Sequence, residues 1–400
     1  MGNIVYVGID TGKETFSACA LNMEGTELIT PTKYGHGREE YARFLGEAKT
    51  VASVTGGRLL FGIESTGIYH LPLYDYLTKR NYQVRVFNGL ELCGMRKSRI
   101  RKTKTDPIDA RLIAGYLLMC FDKDKRSPVP FELRNLREFC RIRERLLRKS
   151  TRIKNQLTRD LDLVFPGFTG VFSDILGKKC LMLLEQACTP TELMNMPKEV
   201  LRKYVPEKKV VELKKISACA IPASNFNKSI VFEIGSLCRQ AKCILEEMLR
   251  VEKEIDSEYS QIKTPLQSVP CIGPGTGPVI LAEIGDIKNF DHPKRIVGFA
   301  GIDPVIKESG KSRKECRISK RGSASLRCAL YQAAFAGITC NPVLKVYYNK
   351  KRSEGKTHRD AVVCCARKLC YIIYSVLSNN RVFYVPSHII ASNAQMNKQD

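Results

Sequence analysis

The order of hydrophobic patterns in the first 120 residues constrains the fold of this chain more than any other feature of its sequence. Three strand-like runs come first: VYVGID, FSACALN and a third from about Glu27 to Tyr34. A helical pattern from about Arg38 to Thr50 leads into LLFGIE, an apolar run that predicts a buried strand. A helix from Ile68 to Arg80, a strand VRVF and a helix from Pro107 to Cys120 complete the pattern. The sequence therefore predicts an α/β domain in which a three-strand meander precedes alternating helices and strands.

This element order is that of a ribonuclease-H-like domain, and two long helical patterns follow it. In the first, from about Phe131 to Val164, apolar residues recur every three or four positions and the other face is basic. The second keeps this spacing from Leu237 to Ile262, over more than three heptads. We expect these helices to pair as a coiled coil, with small helices of lower regularity between them. A mainly α-helical unit then completes a predicted division into residues 1–128, 129–263 and 264–400.

The net charge is strongly positive, since 65 Lys and Arg residues outnumber 41 Asp and Glu residues by 24. Because no lipid anchor or amphipathic surface helix is evident, nucleic acid is the first candidate for the anionic partner that this charge favours. The longest apolar stretch, Ala361 to Leu377, is interrupted by Arg367 and Lys368, so we expect no membrane-spanning helix. The opening MGNIVYVGID lacks the features of a secretory signal, which predicts a cytoplasmic protein. The 16 cysteines include no C-x2-C pair, and most lie in apolar helical runs typical of reduced core thiols.

Four acidic residues of the first domain are predicted to meet at one end of its sheet. Asp10 ends the first strand and Glu64 ends LLFGIE, and these two strands are parallel neighbours in the predicted fold. In TDPIDA, Asp106 and Asp109 are three residues apart at a helix start, so both lie on one face of its first turn. Carboxylates so close repel one another unless cations neutralise them, and ligation by oxygen alone suits Mg²⁺ or Mn²⁺. Two such ions would hold the attacking and leaving oxygens of a phosphoryl transfer, the chemistry of nucleases and strand-transfer enzymes.

Each of these residues has a simpler interpretation when it is taken alone. Asp10 could cap a turn, Glu64 could be an exposed strand end, and Thr-Asp-Pro-x-Asp is a good helix start. Their joint placement, at the right elements and in the right order, favours the metal site. Immediately before Asp106, six of the nine residues from 96 to 104 are basic and none is acidic, which fits a phosphodiester backbone passing the metal. The predicted nucleic-acid contacts of this segment are Arg96, Lys97, Arg99, Arg101, Lys102 and Lys104.

A glycine-rich turn lies near the start of the last unit. Gly273, Gly275 and Gly277 precede a helix from Val279 to Ile284, an arrangement similar to a helix-hairpin-helix element. The backbone N–H groups of such an element can hold a phosphate, which makes Gly273 and Gly275 candidate nucleic-acid contacts. The same residues could also form a turn and nothing more.

Ser309 lies before Gly310 in a predicted loop, where residues 307 to 321 include seven basic residues and two acids. A serine hydroxyl needs a metal, a base or strongly positive surroundings to act as a nucleophile, and this loop offers the last of these. Attack on a phosphodiester would keep the bond energy in a phosphoserine ester, so a strand could be rejoined without ATP. As a bare pattern the signal is weak, because most loop serines are turn formers.

Four segments at the two ends of the chain together resemble one family. VGIDTGKETF, GIESTGIYH, KTDPIDARLIA and, far downstream, AGIDPVIKESGKSRKECRISKRGSASLR look like the DEDD-type transposases of bacterial insertion sequences. That family includes Piv-like pilin-gene invertases and bridge-RNA-guided recombinases. The resemblance covers roughly residues 4 to 160 and 265 to 350, in the expected order.

The resemblance implies a RuvC-like metal domain, a coiled-coil linker and a C-terminal transposase domain that form a composite active site. It implies that Asp10, Glu64, Asp106 and Asp109 hold Mg²⁺ and that Ser309 attacks DNA to form a phosphoserine intermediate. It also implies homodimers and a homotetramer in which the carboxylates of one protomer meet the serine of another. The implied partners are double-stranded donor and target DNA and a structured bridge RNA encoded by the element.

If RNA pairing reads the DNA sequence, the protein needs only to hold nucleic-acid backbones. Basic residues of the last unit are the predicted phosphate contacts: Lys311, Arg317, Lys320, Arg321 and Arg327. The basic face of the first long helix, with Arg141, Arg143 and Arg148 among its residues, is a further candidate, and a solvated helix face has the same pattern. Four nearby serines leave the choice of nucleophile less secure than the carboxylates: Ser312, Ser319, Ser323 and Ser325.

Other functions stay open at this point. A structure-selective nuclease of the Holliday-junction-resolvase type would use the same carboxylates, with water as the nucleophile and Ser309 idle. A Piv-like DNA invertase is a second alternative, and a nucleic-acid-binding protein with an inactive metal site is a third. An actin-like ATPase is disfavoured, because the phosphate-binding loops are missing and the charge is positive.

Overall fold

A computed structural model describes residues 3–65, 67–87, 89, 92–93, 106–120, 131–221, 227–309 and 312–385. The chain divides into two compact units. Unit 1 contains residues 1–130 and 286–291, and unit 2 contains residues 131–285 and 292–400. The division into three parts, with boundaries after residues 128 and 263, stays a prediction from the sequence.

Unit 1 is built on a five-stranded mixed sheet. Its strands are β1 (Ile4–Thr11), β2 (Thr15–Leu21), β3 (Glu27–Gly35), β4 (Arg58–Glu64) and β5 (Gln83–Phe87). They lie in the order β3-β2-β1-β4-β5, with β1, β2 and β3 antiparallel and β1, β4 and β5 parallel. The predicted three-strand meander and the parallel pairing of the first and fourth strands are both confirmed.

Helices cover both faces of this sheet. The helices described in unit 1 are α1 (Arg38–Thr55), α2 (Leu71–Thr78) and α3 (Asp106–Cys120). Alternate residues of β1, namely Val5, Val7 and Ile9, point into a core that they share with α1 and α2. Tyr6 and Gly8 point the other way, toward α3. The alternation therefore places the next residue of this series, Asp10, on the α3 face.

Unit 2 contains two helices of 34 residues, α4 (Phe131–Val164) and α9 (Asn227–Ser260). They pack against each other over much of their length, as predicted. Gln156, late in α4, donates to Glu233, early in α9. Arg143 of α4 and Tyr259 at the end of α9 both lie against the Gly275–Gly277 turn, so the two helices run antiparallel.

The segment between these long helices folds into short helices, which confirms the prediction for this region. They are α5 (Lys178–Leu184), α6 (Pro190–Asn195), α7 (Lys198–Leu201) and α8 (Glu207–Cys219). Leu157 of α4, Leu183 of α5 and Leu213 of α8 are fully buried in one core with the start of α9. Lys214 Nζ closes the end of α6, because it donates to the carbonyl oxygens of Leu193, Met194 and Met196.

The C-terminal part of unit 2 is mainly helical, as predicted, and contains one β-hairpin. Its helices are α10 (Gly277–Ile284), α11 (Pro293–Ala300), α12 (Ala324–Cys340), α13 (Pro342–Ser353) and α14 (His358–Ser378). The hairpin pairs β6 (Pro304–Ser309) with β7 (Ser312–Ile318), where the sequence analysis expects a loop. Lysine, glutamate and arginine fill these strands, and their low β-propensity hides the strand pattern.

Among the described helices, α14 has the length and composition of a membrane span. Half of its most apolar window is buried, and it packs against α11, α12 and α13. Arg367 Nε, near its middle, donates to the Ile302 carbonyl oxygen at 2.7 Å. These contacts make α14 a core helix of unit 2.

The cysteines within the described ranges form no disulfides. Burial raises the pKa of Cys180 and of Cys238 to about 12. Both side chains are therefore neutral thiols at physiological pH and act as small apolar core residues.

Candidate active site

Asp10 and Glu64 lie side by side at the carboxyl ends of two parallel strands. The register of β1 and β4 pairs Ile9 with Ile63, so the next residues along the two strands are neighbours. Ile9 and Ile63 point into the core under α1 and α2, and Asp10 and Glu64 therefore point to the α3 face. Glu64 is 4% exposed.

Helix α3 carries Asp109 to the same face of the sheet. It packs directly on β1 at Gly8, where an added Cβ would lie 2.3 Å from the Ala110 carbonyl oxygen and 2.2 Å from the Ala114 nitrogen. Only glycine permits this approach, because any side chain would collide with helix backbone. Asp109, the residue before Ala110, is 3% exposed.

The direction of α3 sets which end of the sheet its first turn reaches. Leu117, late in the helix, packs in one cluster with Tyr6 and Leu60, which are nearer the starts of β1 and β4. The first turn, which begins at Asp106, therefore lies toward the strand ends that carry Asp10 and Glu64. The structure thus brings three of the four predicted carboxylates to one end of one sheet face, and the side chain of the fourth, Asp106, lies outside the described residues.

Among the described side chains, no group of three or more His, Cys, Asp or Glu residues is close enough to hold a metal ion. The donors present are carboxylate oxygens, which are the ligands that Mg²⁺ and Mn²⁺ prefer. Burial and the nearby Glu27 raise the pKa of Cys19, on the same face of the sheet, to about 11. The carboxylates that the structure places here therefore have the chemistry of ligands for a hard divalent cation.

A buried hydroxyl on this face also fits a site for an ion. Ser17 pairs with Asp10 across β1 and β2 and is 1% exposed. Its Oγ has no hydrogen-bond partner, and an unsatisfied buried hydroxyl lowers the stability of the folded state. Gly89 lies near the other carboxylate, Glu64. An added Cβ at Gly89 would lie 3.0 Å from Glu64 Oε1, so the backbone of Gly89 lies close to this carboxylate.

Ser309 is the last residue of β6 and pairs with Ser312, the first residue of β7. The side chains of both serines, and Lys311 between them, lie outside the described residues. The hairpin is fixed at its other end, where Ser319 Oγ donates to Asp303 Oδ1 at 2.5 Å and Ser319 N donates to the Asp303 carbonyl oxygen at 2.9 Å. Ser309 therefore lies at the turn end of a hairpin of unit 2 whose base is held by hydrogen bonds from Ser319 to Asp303.

The serines that follow the hairpin have structural roles. Ser319 bonds to Asp303, as described above. Ser323 caps α12 by accepting from Leu326 N, and its Oγ donates to Glu283 Oε2 at 2.8 Å. Ser325 Oγ donates to Glu144 of α4. Three of the four alternative serines are thus engaged in hydrogen bonds within the fold, and the side chain of the fourth, Ser312, lies outside the described residues.

Glu283 of α10 is a buried carboxylate that the sequence analysis missed. Arg137 Nη2 lies 3.3 Å from its Oε2, and Arg141 Nε lies 3.2 Å from its Oε1. Burial raises the pKa of Glu283, but Arg137, Arg141 and the Ser323 hydroxyl outweigh burial and hold it below the usual value. The glutamate therefore joins α4, α10 and the start of α12 around one ionised carboxylate.

The structure divides the predicted nucleic-acid contacts into three groups. Arg317, Lys320 and Arg321 are exposed around the base of the hairpin, where phosphates could reach them. Arg327 is half-buried and its Nη1 donates to the Ala300 carbonyl oxygen at 2.9 Å, so it caps α11. The predicted contacts from residue 96 to residue 104, and Lys311, lie outside the described residues.

The glycine turn and the basic face of α4 are joined by one contact. Gly273 and Gly275 are exposed, and Arg143 Nη2 donates to the Gly275 carbonyl oxygen at 2.7 Å. Gly277 N donates to the Gly273 carbonyl oxygen at 2.8 Å, which closes the predicted tight turn before α10. Arg141 and Arg143 therefore make intramolecular contacts, and nucleic-acid binding by the basic face of α4 stays a prediction.

Two family models match the chain at the two regions just described. A DEDD transposase model of the IS110 type matches residues 7–166, which include Asp10, Glu64, Asp106 and Asp109. A model described as "Transposase IS116/IS110/IS902 family" matches residues 263–349, which include the hairpin. The chain belongs to this family of transposases.

Relatives of this transposase include proteins of bacterial insertion elements and a pilin gene-inverting protein. An IS116 protein of Streptomyces clavuligerus is 24% identical over 95% of this chain and 96% of its own length. An IS900 protein of Mycobacterium paratuberculosis is 23% identical over 96% of this chain and 98% of its own. The pilin gene-inverting protein of Moraxella bovis is 23% identical over 94% of this chain and 97% of its own. The transposase therefore aligns with these proteins over nearly its whole length.

Proposed function

We propose that this transposase cuts and exchanges DNA strands with a metal centre in unit 1 and a serine nucleophile in unit 2. The observation that carries the proposal is the convergence of Asp10, Glu64 and Asp109 at one end of the α3 face of the sheet. The strand order and this edge site support the assignment of unit 1 as a ribonuclease-H-like, RuvC-like domain.

Asp10, Glu64, Asp106 and Asp109 would hold Mg²⁺ or Mn²⁺. When bound, the ions would neutralise charge on the scissile phosphate and stabilise the attacking and leaving oxygens. The chain supplies fixed positions for the ligands, because β1, β4 and α3 are held rigidly by the sheet and by the contact at Gly8.

Ser309 Oγ would attack the scissile phosphorus, forming a serine–phosphate ester and releasing a deoxyribose hydroxyl at the cut. A hydroxyl of the partner strand would then attack this ester, rejoining the DNA and returning the serine. In the first step the proton of the serine hydroxyl passes to the released deoxyribose oxygen. In the second step the serine regains a proton from the attacking hydroxyl. The roles of Ser319, Ser323 and Ser325 in packing support Ser309 as the nucleophile.

Double-stranded donor and target DNA are the proposed substrates, and the net charge of +24 supports backbone binding. The proposed guide is a bridge RNA encoded by the element, and the proposed assemblies are a homodimer and a homotetramer that join the two halves of the active site. We place the protein in the cytoplasm at the nucleoid of a prokaryotic cell. Exposed Arg317, Lys320 and Arg321 would contact phosphates near the hairpin.

The test is a cleavage assay on donor DNA with the full-length protein, resolved on denaturing gels with and without protease. Wild-type protein with Mg²⁺ is expected to give a covalent protein–DNA adduct. Ser309→Ala and Asp10→Ala should each abolish the adduct, and Ser312→Ala should leave it. A chelator should abolish it as well.

Each alternative has its own result in this assay. Cutting by Ser309→Ala that equals wild type, with no adduct in either, would identify a nuclease that uses water. Loss of the adduct in Ser312→Ala, with retention in Ser309→Ala, would move the nucleophile to the neighbouring strand. Adduct formation in Asp10→Ala or in the presence of chelator would contradict the metal centre.

A DNA invertase is the second candidate, favoured by the pilin gene-inverting relative in Moraxella bovis. The chemistry of cutting and rejoining would be the same, and the arrangement of the two sites would differ. Plasmids that carry the element's ends in direct or in inverted orientation separate the two functions, because excision and inversion give products of different restriction pattern.

A further inference from the structure

Ser17 faces Asp10 directly across the antiparallel pair of β1 and β2. Cys19 and Leu21, which alternate with Ser17 along β2, pack with Ala110 and Ala114 of α3. Ser17 therefore points to the α3 face, the face that carries the acidic residues. Side chains directly opposite on one face of such a pair have Cβ atoms about 4.5 to 5.5 Å apart, within reach of a hydroxyl donor.

The Ser17 hydroxyl is buried and has no hydrogen-bond partner. A buried donor in this state costs folding free energy, and alanine at the same position would not carry that cost. The hydroxyl rotates freely about its Cβ–Oγ bond, and it has one proton to donate. The charged acceptor opposite it in the strand register is Asp10.

We propose that Ser17 is a positioning residue for Asp10. Its hydroxyl donates to the Asp10 carboxylate when that carboxylate ligates a divalent ion, and this fixes the orientation of the ligating oxygen. Hydrogen bonds that orient a metal ligand commonly change metal affinity by about 10- to 100-fold. The inference rests on the metal centre proposed above, and it adds a residue that the acidic motif does not contain.

Thr11 offers a matched control on the same strand. It follows Asp10, is 6% exposed, and its Oγ1 also has no hydrogen-bond partner. It pairs with Phe16, whose ring lies in the core under α1 and α2, so Thr11 points to the opposite face of the sheet. Thr11→Val removes an equivalent hydroxyl next to Asp10 without changing the acidic face.

The experiment measures Mn²⁺ binding to the full-length protein by isothermal titration calorimetry, with urea unfolding in the absence of metal as a second readout. Wild type and Thr11→Val are expected to bind Mn²⁺ with the same affinity. Ser17→Ala should bind about tenfold more weakly and yet unfold without metal at the same or a higher urea concentration. Ser17→Cys, which keeps a weaker donor of similar size, should fall between wild type and Ser17→Ala. Asp10→Ala should lose the site.

The outcomes separate this inference from the function on which it rests. If Asp10→Ala loses Mn²⁺ binding and Ser17→Ala binds like wild type, the metal centre stands and the role of Ser17 is overturned. Equal weakening in Ser17→Ala and Thr11→Val would also overturn it, because the effect would then come from packing. Binding that Asp10→Ala leaves unchanged, or no saturable binding by wild type, would overturn the metal centre and the inference together.

Discussion

Glu283 shows how a single buried charge organises the surroundings of the hairpin. Its side chain is nearly inaccessible to solvent, and three donors from two other helical segments surround it. A buried carboxylate without such partners would be protonated or would destabilise the fold. The partners Arg137 and Arg141 belong to the helix whose basic pattern suggested nucleic-acid binding, so the structure explains part of that charge as intramolecular pairing.

Glu283→Gln is expected to destabilise the protein by about 3 kcal/mol at neutral pH, because two arginines lose the charge they surround. The pKa of the folded carboxyl lies below its usual value of 4.5, so its stabilising effect is present above about pH 4.5 and is lost as the pH falls through the lowered pKa. Urea unfolding at several pH values should show wild type losing more stability than the variant below pH 4.5. Glu254→Gln, an exposed position of α9, should follow wild type, and parallel acid profiles for wild type and Glu283→Gln would contradict this role.

The packing of α3 on β1 is the contact between elements on which the acidic face depends. The Ala110 and Ala114 backbone approaches Gly8 so closely that the strand must lack a side chain there. This contact sets the height of the helix above the sheet and hence the position of Asp109. The hairpin of unit 2 is fixed in a similar way, since an added Cβ at Gly322 would lie 2.2 Å from the Phe299 carbonyl oxygen.

Gly8→Ala should destabilise unit 1 by at least about 2 kcal/mol, because the backbone of α3 would have to move away from the sheet. Gly115→Ala in the same helix is the matched control, since an added Cβ there meets no atom within 4 Å. That substitution should stabilise the helix by about 0.5 to 1 kcal/mol. Thermal unfolding followed by circular dichroism measures both, and equal melting temperatures for wild type and Gly8→Ala would contradict the packing described here.

At the scale of the whole molecule, the charge excess bears on the DNA binding proposed above. The proposed centre draws its acidic residues from unit 1 and its serine from unit 2, so neither unit alone contains the whole site. Cationic residues are spread along the chain, and binding through them should be weakly dependent on sequence and strongly dependent on salt.

Replacing Arg317 and Arg321 together by alanine should weaken duplex binding at all sequences alike. The slope of log K against log salt concentration should become less steep by up to about 2, since each lost phosphate contact contributes about 0.9. Fluorescence anisotropy titrations at four salt concentrations measure this slope. Arg202→Ala, which removes an arginine paired with Glu207 at 2.5 Å, is the control and should leave the slope unchanged. An unchanged slope in the double variant would remove these residues from the DNA interface.

Local patterns in the sequence were sufficient to predict several elements. Strand-like apolar runs predicted β1, β2 and β4, and the three- and four-residue spacing of apolar residues predicted α4 with the bounds that the structure has. The hairpin was missed because its strands are rich in lysine, glutamate and arginine, residues of low β-propensity. Periodicity predicts a strand only where apolar and polar residues alternate, and PVIKES and SRKECRI lack a clear alternation.

The sequence by itself determined the order of elements, the positive charge and the acidic residues at strand and helix ends, because each follows from neighbouring residues or from composition. Only the tertiary structure decided which arginines pair with Glu283, which serines are engaged in packing, and that Ser17 faces Asp10. Those facts depend on contacts between residues up to 181 positions apart in the chain. Strand register and helix packing set such contacts, and no local pattern encodes them.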